Sequence, residues 1–297
     1  MLILIGGITG LVGQAVAKAG LAAGHKVRGL ARNPSKISAD LLSQLESLVR
    51  CNDYYDLTAV DQAVKDVDAI VCAYFPEPKL VLEAQLLLLR AAERANVKVF
   101  RAASWNFPWE RDQLGDHETY DAYLMFRAYA RITSSINPVN GFTGIIFEYM
   151  LQSMPWKNDA TGELPHFGPA DKPYAYIGVE NLAAYTIEAI SASDAAKDDS
   201  YYVESFKCSY LELAETYQQV CGKELTPKCM GMLGDVETML GQARAATPAH
   251  EHAGYVVFAY MKYMLNGLYD YEAVDSKRWS HVKQSSLKEL FEQNPEA

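Results

Sequence analysis

The sequence predicts an α/β fold in which a parallel sheet is doubly wound, with helices on both faces. Three observations lead to this prediction. The chain begins with an apolar strand that runs into a glycine-rich turn and a helix, strands and helices alternate through the first half, and 297 residues suffice for a large core. Parallel strands need crossover connections, so this alternation favours a parallel sheet. The second half is mostly helical, and we expect it to form a smaller lobe.

The first strand, residues 2–5, leads into Gly7-Ile8-Thr9-Gly10-Leu11-Val12-Gly13. Glycine allows a tight turn at the first position, close approach of a phosphate at the second, and helix–strand packing at the third. The helix N-terminus adds N–H groups and partial positive charge. A plain turn is the alternative, but the strand and helix that the motif demands are both present. We therefore expect residues 7–13 to cradle the pyrophosphate of a dinucleotide.

The end of the second strand indicates which dinucleotide binds. A helix over residues 11–23, closed by Gly24, precedes this strand, which covers residues 25–31. NAD sites usually carry an acid at the strand end for the ribose hydroxyls, whereas a 2′-phosphate needs a cation. This chain has Arg32 and Lys36 with no acid between them. Both are solvated surface charges in the alternative interpretation, but their position favours NADP(H).

The next strands extend the same edge of the sheet. We predict strands at 45–50 and 68–74 with a helix at 57–64 between them. Asp53 and Tyr54 follow the earlier strand, where Asp53 either accepts a hydrogen bond from the adenine amino group or caps the next helix. Ala73 and Tyr74 end the later strand and are expected along the cofactor, because ligands bind outside the carboxyl ends of such strands.

A long helix over residues 79–96 leads to a fifth strand at 97–103, which delivers Ser104, Trp105 and Asn106 to the same edge. We expect the nicotinamide and its substrate to meet there, with Ser104 on the cofactor and the other two on the substrate. A sixth strand is predicted at 144–147. The residues that follow it, Tyr149 and Met150, suit the wall of a hydrophobic substrate site.

The helix predicted at 120–134 carries Tyr123 and Arg127 on one face, four residues apart. The spacing resembles the Tyr-x-x-x-Lys pair of short-chain dehydrogenases, in which tyrosine passes a proton and lysine lowers its pKa and holds the ribose. An arginine can hold ribose or an oxyanion but stays protonated. A chance match is the alternative, since the helix has other tyrosines. His117 is a second acid/base candidate, or else a capping or surface residue.

The second half contains predicted strands at 174–177 and 201–204 and helices at 179–191, 211–220 and 254–267, with a capping box from Ser286 to Glu289 before the last helix. The helix at 254–267 is too apolar for a surface helix. We expect it to lie in the core, at a dimer face or along a pocket. His250 and His252 lie in a loop without a third ligand, so we expect no metal site.

Charge and cysteine usage exclude several classes of partner. The net charge of −10 is spread along the chain without a basic run, so nucleic acid and anionic membrane are poor candidates and a small molecule is the better one. Five scattered cysteines fit a reducing compartment. The first strand begins one residue after Met1, so a cleaved leader would remove the cradle. We expect a cytoplasmic protein, monomeric or homodimeric.

These motifs together resemble the NmrA-like, isoflavone-reductase-like branch of atypical short-chain dehydrogenases. The landmarks, besides the glycine turn, are residues 27–36, 52–56, 100–106, 176–183 and 209–214. The resemblance implies a Rossmann-like NAD(P)-binding domain at 1–150 and a substrate-binding lobe at 151–297, with 174–206 returning to the sheet. It also implies an NADP(H) cofactor and a hydrophobic or aromatic small substrate. Reductases of this family carry a lysine where this chain has Arg127, which places the usual proton transfer in question.

The sequence thus predicts an NADPH-dependent reductase of a small hydrophobic metabolite that contains a carbonyl, imine or conjugated double bond, as in secondary metabolism. Hydride would reach a substrate held over Ser104 and Asn106, with Tyr123 or His117 donating the proton and Arg127 stabilising charge. Two alternatives remain open. One is a non-turnover NADP(H) sensor that binds a protein partner, and the other is a cyclase that keeps the cofactor site.

Overall fold

The computed structural model describes residues 1–153, 156–197 and 199–295. The strands within these ranges are β1 (Leu2–Gly6), β2 (Lys26–Ala31), β3 (Ser47–Arg50), β4 (Ala69–Cys72), β5 (Val99–Arg101), β6 (Asn140–Phe142), β7 (Ile145–Ile146), β8 (Glu163–His166), β9 (Tyr174–Ile177), β10 (Ser200–Tyr202), β11 (Phe206–Cys208) and β12 (Thr226–Cys229).

The α-helices are α1 (Leu11–Ala22), α2 (Ala39–Gln44), α3 (Leu57–Val64), α4 (Gln85–Arg94), α5 (Glu118–Thr133), α6 (Phe147–Ser153), α7 (Val179–Ser191), α8 (Tyr210–Cys221), α9 (Leu233–Ala246), α10 (Val256–Leu265), α11 (Val274–Arg278) and α12 (Leu287–Gln293). Short 3-10 turns cover Pro34–Lys36, Trp109–Arg111 and Ala249–Gly254. A π-helical segment, Lys79–Ala84, leads directly into α4.

The central sheet is parallel, and it confirms the predicted fold class. Its strand order is β3-β2-β1-β4-β5, and every pairing in it is parallel. A parallel bridge from Arg101 to Val139 extends the sheet toward β6, and β10 then pairs with β6, also in parallel. The order reverses at β1, between β2 and β4, which is the switch point where such sheets bind ligands.

Alternation of side chains along the strands explains why both faces of the sheet are covered. Ile3 and Ile5 of β1 point toward a core shared with Val16 of α1 and Ile187 of α7. Leu4 points to the opposite core, which includes residues of α3, α4 and α5. Because successive strand residues face opposite sides, a fully apolar strand needs helices on both.

Two predicted elements differ from the observed ones. The sixth sheet strand is β6 at Asn140–Phe142, whereas the predicted residues 144–147 form the two-residue β7 and the start of α6. The predicted helix at 79–96 begins as the π-helical segment, in which each turn contains an extra residue. Gln85 fixes the junction, since its side chain donates to the Val81 carbonyl and accepts from the Ala103 N–H at 2.7 Å.

The second half both completes the sheet and builds the smaller lobe. Helix α7 packs along α1, and β10 supplies the strand beyond β6. The lobe contains an aromatic core around Trp109, Tyr120, Phe147, Tyr217 and Phe291. Helix α10 packs against α9, and Tyr263 and Met264 lie in the core of the lobe, as one of the three alternatives predicted, while Val257 is exposed. No helix in the described ranges is long and apolar enough to cross a membrane.

Candidate functional site

The glycine turn lies at the carboxyl end of β1, at the switch point. Gly7 has a φ of +80°, and an ideal Cβ there would lie 2.5 Å from the Ala73 carbonyl oxygen. A Cβ at Gly13 would overlap the Gly7 carbonyl oxygen and lie 2.8 Å from Ile8 Cα. The first and third glycines are therefore required by the close approach of strand, turn and helix.

Gly10 differs from the other two glycines because its surroundings are open. A Cβ there would meet only the Gly7 carbonyl oxygen, at 3.5 Å, and its φ of −81° is accessible to any residue. It is the N-cap of α1, and no side chain in the described part of the chain caps this helix. The open space and the uncapped helix N-terminus fit an anion that approaches the backbone of residues 9–13.

Arg32 and Lys36 follow β2 at the same edge, and both side chains are exposed. Within the described residues neither cation has a hydrogen bond or an ion pair. The turn between them is held by Asn33, whose side chain accepts from the N–H of Ser35 at 3.2 Å. Two exposed cations one turn apart could bind a phosphate, and their exposure equally fits the alternative of solvated surface charges.

The loop after β3 places Asp53 and Tyr54 on the surface near the start of the long helix. Asp56, not Asp53, caps α3, because its side chain accepts from the Ala59 N–H at 3.2 Å. The capping alternative for Asp53 is therefore wrong; its carboxylate accepts from the Tyr55 N–H at 2.5 Å. Tyr54 donates to Glu83 at 2.9 Å.

Ala73 and Tyr74 continue from β4 past the switch point. The Ala73 N–H donates to the Gly6 carbonyl at 2.7 Å, which extends the pairing with β1. The Tyr74 ring lies beside the glycine turn, within 3.2 Å of the Cβ position at Gly7. Both residues thus border the cradle.

Ser104, Trp105 and Asn106 follow β5, as predicted, but their side chains take different directions. The Ser104 hydroxyl is buried and accepts from Arg101 at 2.9 Å and from the Gly141 N–H at 3.0 Å, which joins β5 to β6. Trp105 is half-buried and donates to Thr186 of α7 at 3.0 Å. Asn106 is half-buried and points to the lobe, where its amide donates to the Tyr260 hydroxyl at 3.4 Å.

Arg101 is the residue of this edge that the sequence interpretation missed. Its guanidinium is fully buried at the end of β5, donates to Tyr201 at 2.8 Å and to Ser104, and lies 4.3 Å from the centre of the Trp105 ring. No carboxylate pairs with it in the described ranges. Burial lowers its pKa. The available signal was an arginine placed between Phe100 and Ala102, in the apolar half of the predicted strand.

Tyr123 lies on α5, and its ring belongs to the aromatic core of the lobe. Its ring is 5.5 Å from Trp109 and 5.7 Å from Tyr120, and its side chain is almost completely buried. No hydrogen bond among the described residues involves its hydroxyl. Burial and the neighbouring Tyr260 raise its pKa well above the usual value. The hydroxyl is therefore protonated at neutral pH. The charge of the buried Arg101 lowers the pKa of Tyr123 by less than burial raises it, and no hydrogen bond among the described residues joins the two side chains.

Arg127 lies away from the cradle, and this differs from the expectation that it holds the cofactor. Its guanidinium binds Glu110 at 2.7 Å and Asp199 at 3.3 Å, and it lies over the ring of Trp109. Glu110 also accepts from Tyr202 of β10. Strand β10 is at the far end of the sheet from β1, so Arg127 joins α5 to that end of the sheet.

His117 is not a surface residue; it occupies the N-cap position of α5, but its side chain makes no capping hydrogen bond among the described residues. Its ring is fully buried, stacked on Tyr120 at 4.3 Å and against Tyr260 at 4.3 Å. Neither ring nitrogen has a hydrogen-bond partner within the described residues. Burial lowers its pKa to about 3. A neutral, enclosed imidazole does not fit the role of a general acid near pH 7.

Tyr149 and Met150 lie on α6. Tyr149 is exposed, whereas Met150 packs in the aromatic core of the lobe. Tyr260 of α10, which the sequence interpretation did not single out, is half-buried, and burial raises its pKa to about 12. A cavity of about 230 Å³ is lined by aromatic and apolar residues and by three charged ones, among them Phe107, Tyr174, Met264, Tyr269, Lys172, Lys207 and Asp270. Aromatic groups with a few hydroxyls thus surround the edge that faces the lobe.

All five cysteines are free. His250 is 80% exposed, and within the described residues no group of three or more His, Cys, Asp or Glu side chains is placed to hold a metal ion.

Comparison with known proteins identifies the family. The model of the NmrA-like family matches residues 1–239. The chain belongs to the NmrA-like family. Among curated relatives, a bifunctional pinoresinol-lariciresinol reductase of Linum usitatissimum is 24% identical over 239 residues, which is 75% of this chain and 76% of that protein.

Solved structures resemble this NmrA-like chain along its whole length. An isoflavone reductase has a TM-score of 0.77 with 18% identity and covers 99% of both chains. The NADPH complex of a leucoanthocyanidin reductase from Vitis vinifera has a TM-score of 0.79 with 16% identity over 100% of both. An NADPH-bound quinone oxidoreductase from Escherichia coli has a TM-score of 0.72 with 19% identity, covering 98% and 99%. These structures confirm the predicted fold.

Proposed function

We propose that this NmrA-like protein is an NADPH-dependent reductase of a small hydrophobic metabolite with a carbonyl, imine or conjugated double bond, as in secondary metabolism. The observation that carries the proposal is the open glycine cradle at Gly10 with two unpaired cations, Arg32 and Lys36, at the end of the neighbouring strand. The reductases among its relatives, some solved with NADPH, support the same conclusion.

The backbone N–H groups around Gly10 and Leu11 would hold the pyrophosphate, and Arg32 with Lys36 would hold the 2′-phosphate. Asp53, Tyr54, Ala73 and Tyr74 would line the path of the nucleotide. NADPH supplies the hydride when bound. The Ser104 hydroxyl already accepts hydrogen bonds from Arg101 and from the Gly141 N–H. We therefore propose that Ser104 stabilises the loop after β5 and that its side chain does not contact the cofactor.

The substrate would lie between the loop after β5 and the lobe, against Trp105, Asn106, Tyr149 and Met150. The proton would come from Tyr123, whose hydroxyl is protonated at neutral pH and carries no competing hydrogen bond within the described residues. Replacing Tyr123 by Phe should lower kcat with little change in coenzyme affinity. His117 and Arg127 are not assigned catalytic roles, because one is enclosed and neutral and the other is held by two carboxylates.

The cofactor assignment is tested by calorimetry with NADPH and NADH. We expect Arg32→Ala to weaken NADPH binding about 10- to 100-fold, since a charge-assisted phosphate contact contributes about 1.5 to 3 kcal/mol, and to leave NADH binding nearly unchanged. Lys98→Ala is the matched control, because Lys98 is an exposed cation before β5, at the opposite edge of the sheet. Equal losses in both variants, or no binding of either coenzyme by the wild type, would contradict the assignment.

Turnover is tested by following NADPH consumption with a broad set of ketones, imines and enones. A protein that binds NADPH but reduces none of them favours the sensor. One structural observation supports that alternative: among the described residues no lysine or arginine donates to the Tyr123 hydroxyl, and Arg101, whose charge acts on it, donates to Tyr201 and Ser104 instead. A cyclase would instead form product without oxidising the coenzyme. We place the protein in the cytoplasm, as a monomer or homodimer, which fractionation and light scattering would check.

A further inference from the structure

We propose that Arg101 makes the coenzyme site discriminate by redox state, so that it binds NADPH more tightly than NADP⁺. The proposal rests on the NADP(H) site described above and goes beyond it, since a phosphate cradle grips both forms equally. It concerns a residue that has no part in the glycine motif.

Arg101 is an isolated positive charge in the interior. The side chain is fully buried, its Nη2 has no hydrogen-bond partner, and no carboxylate lies within ion-pair distance among the described residues. Its contacts are neutral: the Tyr201 hydroxyl, the Ser104 hydroxyl, and the carbonyls of Ala102 and Val139. Two aromatic rings, Trp105 at 4.3 Å and Tyr201 at 5.1 Å, cover the guanidinium. A guanidinium stays protonated under these conditions, so the charge persists.

This charge lies directly behind the loop where the nicotinamide end is expected. Arg101 is the last residue of β5, and it donates to Ser104 at 2.9 Å. The guanidinium lies over the Trp105 ring. Trp105 and Val12 of the cradle pack against the same apolar cluster, which includes Ile177 and Leu182. Trp105 therefore contacts both the buried cation and the cluster on which the cradle packs.

The two coenzyme forms differ in the charge of this end. The reduced nicotinamide is neutral and the oxidised ring carries +1, while the phosphates are the same. Two like charges about 10 Å apart at an effective dielectric constant of about 20 repel enough to change an affinity about ten-fold. Water and salt screen a buried charge little. Arg101 therefore disfavours the oxidised ring, and its removal should relieve that penalty.

The test is the ratio of the dissociation constants of NADP⁺ and NADPH, measured by calorimetry and by the fluorescence of NADPH. We expect the wild type to prefer NADPH about ten-fold, Arg101→Met to reduce the preference at least three-fold, and Arg101→Lys to keep most of it. Lys98→Met, which removes an exposed cation at the opposite edge, should not change the ratio. The wild-type ratio should also persist at 0.5 M salt (about a 3 to 5 Å Debye length), whereas binding of both forms weakens as the phosphate contacts are screened.

Three results would overturn the proposal: a wild-type ratio near one, a ratio that collapses in salt, or an unchanged ratio in Arg101→Met. If Arg101→Met does not fold, Arg101→Gln and the wild-type ratio decide the question. Failure of the cofactor assignment has a different signature, because then neither form binds.

Discussion

Gly10 and Gly13 should respond differently to substitution by alanine, because the added methyl group has different surroundings at the two positions. At Gly10 the methyl points into open space, and the backbone conformation suits alanine. At Gly13 the methyl overlaps the Gly7 carbonyl and contacts Ile8 Cα at 2.8 Å, both of them backbone atoms that cannot rotate away. Gly10→Ala should therefore affect the ligand, and Gly13→Ala the fold.

The magnitudes follow from these contacts. Alanine is a poorer N-cap than glycine but restricts the unfolded chain, so Gly10→Ala should change the free energy of unfolding by less than about 1 kcal/mol. The same methyl occupies the approach path of the pyrophosphate and should weaken NADPH binding by about ten-fold or more. Overpacking costs about 1 to 3 kcal/mol, and Gly13→Ala should be at the upper limit, or about 6 °C in Tm at about 2 °C per kcal/mol.

The assays are thermal unfolding by circular dichroism without coenzyme, and calorimetric titration with NADPH. Gly241→Ala is the control, since Gly241 lies on α9 with open space around it and should be slightly stabilised, by about 0.5 to 1 kcal/mol. If Gly10→Ala binds NADPH like the wild type, the phosphate does not approach this backbone and the cradle assignment is refuted. If Gly13→Ala is as stable as the wild type, the packing argument is refuted.

Three further variants test the electrostatics. Arg127→Met should lower stability by about 1 to 3 kcal/mol, because it leaves Glu110 without its ion pair at 2.7 Å, and should leave NADPH affinity unchanged in calorimetry. The pKa of His117 is about 3 in the folded protein and about 6.5 in the unfolded chain. The free energy of unfolding of the wild type should therefore fall by about 2 kcal/mol between pH 7.5 and pH 5. His117→Phe should not show this loss in unfolding scans at the two pH values. Burial raises the pKa of Asp112 to about 6, and among the described residues its carboxylate accepts a hydrogen bond only from Tyr269, so the free energy of unfolding falls as the pH rises from about 4 to 6. Asp112→Asn should be about 1 to 2 kcal/mol more stable than the wild type at pH 7.5 and equal to it at pH 4.

Local patterns predicted most of the sheet, because they depend on neighbouring residues only. Helix α3 and strand β9 have the predicted bounds, since an acid caps the one and apolar residues continue through the other. Strand β6 was missed because its sequence, Asn-Gly-Phe, lacks the pattern of a strand. Gly141 is required there by tertiary packing, as a Cβ would contact Arg101 and Tyr201 at 2.5 Å. Nothing adjacent in the sequence indicates such a contact.

The candidate site, like the fold, could be predicted from the sequence only in part. The glycine turn and the residues after β2, β4 and β5 reach the expected edge, because a parallel sheet brings the carboxyl ends of its strands together. The spacing of Tyr123 and Arg127 correctly put both on one side of α5, against Trp109. It did not reveal that Asp199, 72 residues away, holds the arginine. Ion pairs between distant segments depend on the assembled fold.

The packing of α7 on α1, and of β10 beside β6, has a consequence for how the protein is made. Helix α1 leaves the ribosome before α7, and the segment that packs on it is synthesised more than 150 residues later. At about 5 to 20 residues per second, that delay is on the order of ten seconds or more. During this interval the apolar side of α1 has no native cover, so newly made chains should be most vulnerable to aggregation and most dependent on chaperones before residue 191 has left the exit tunnel.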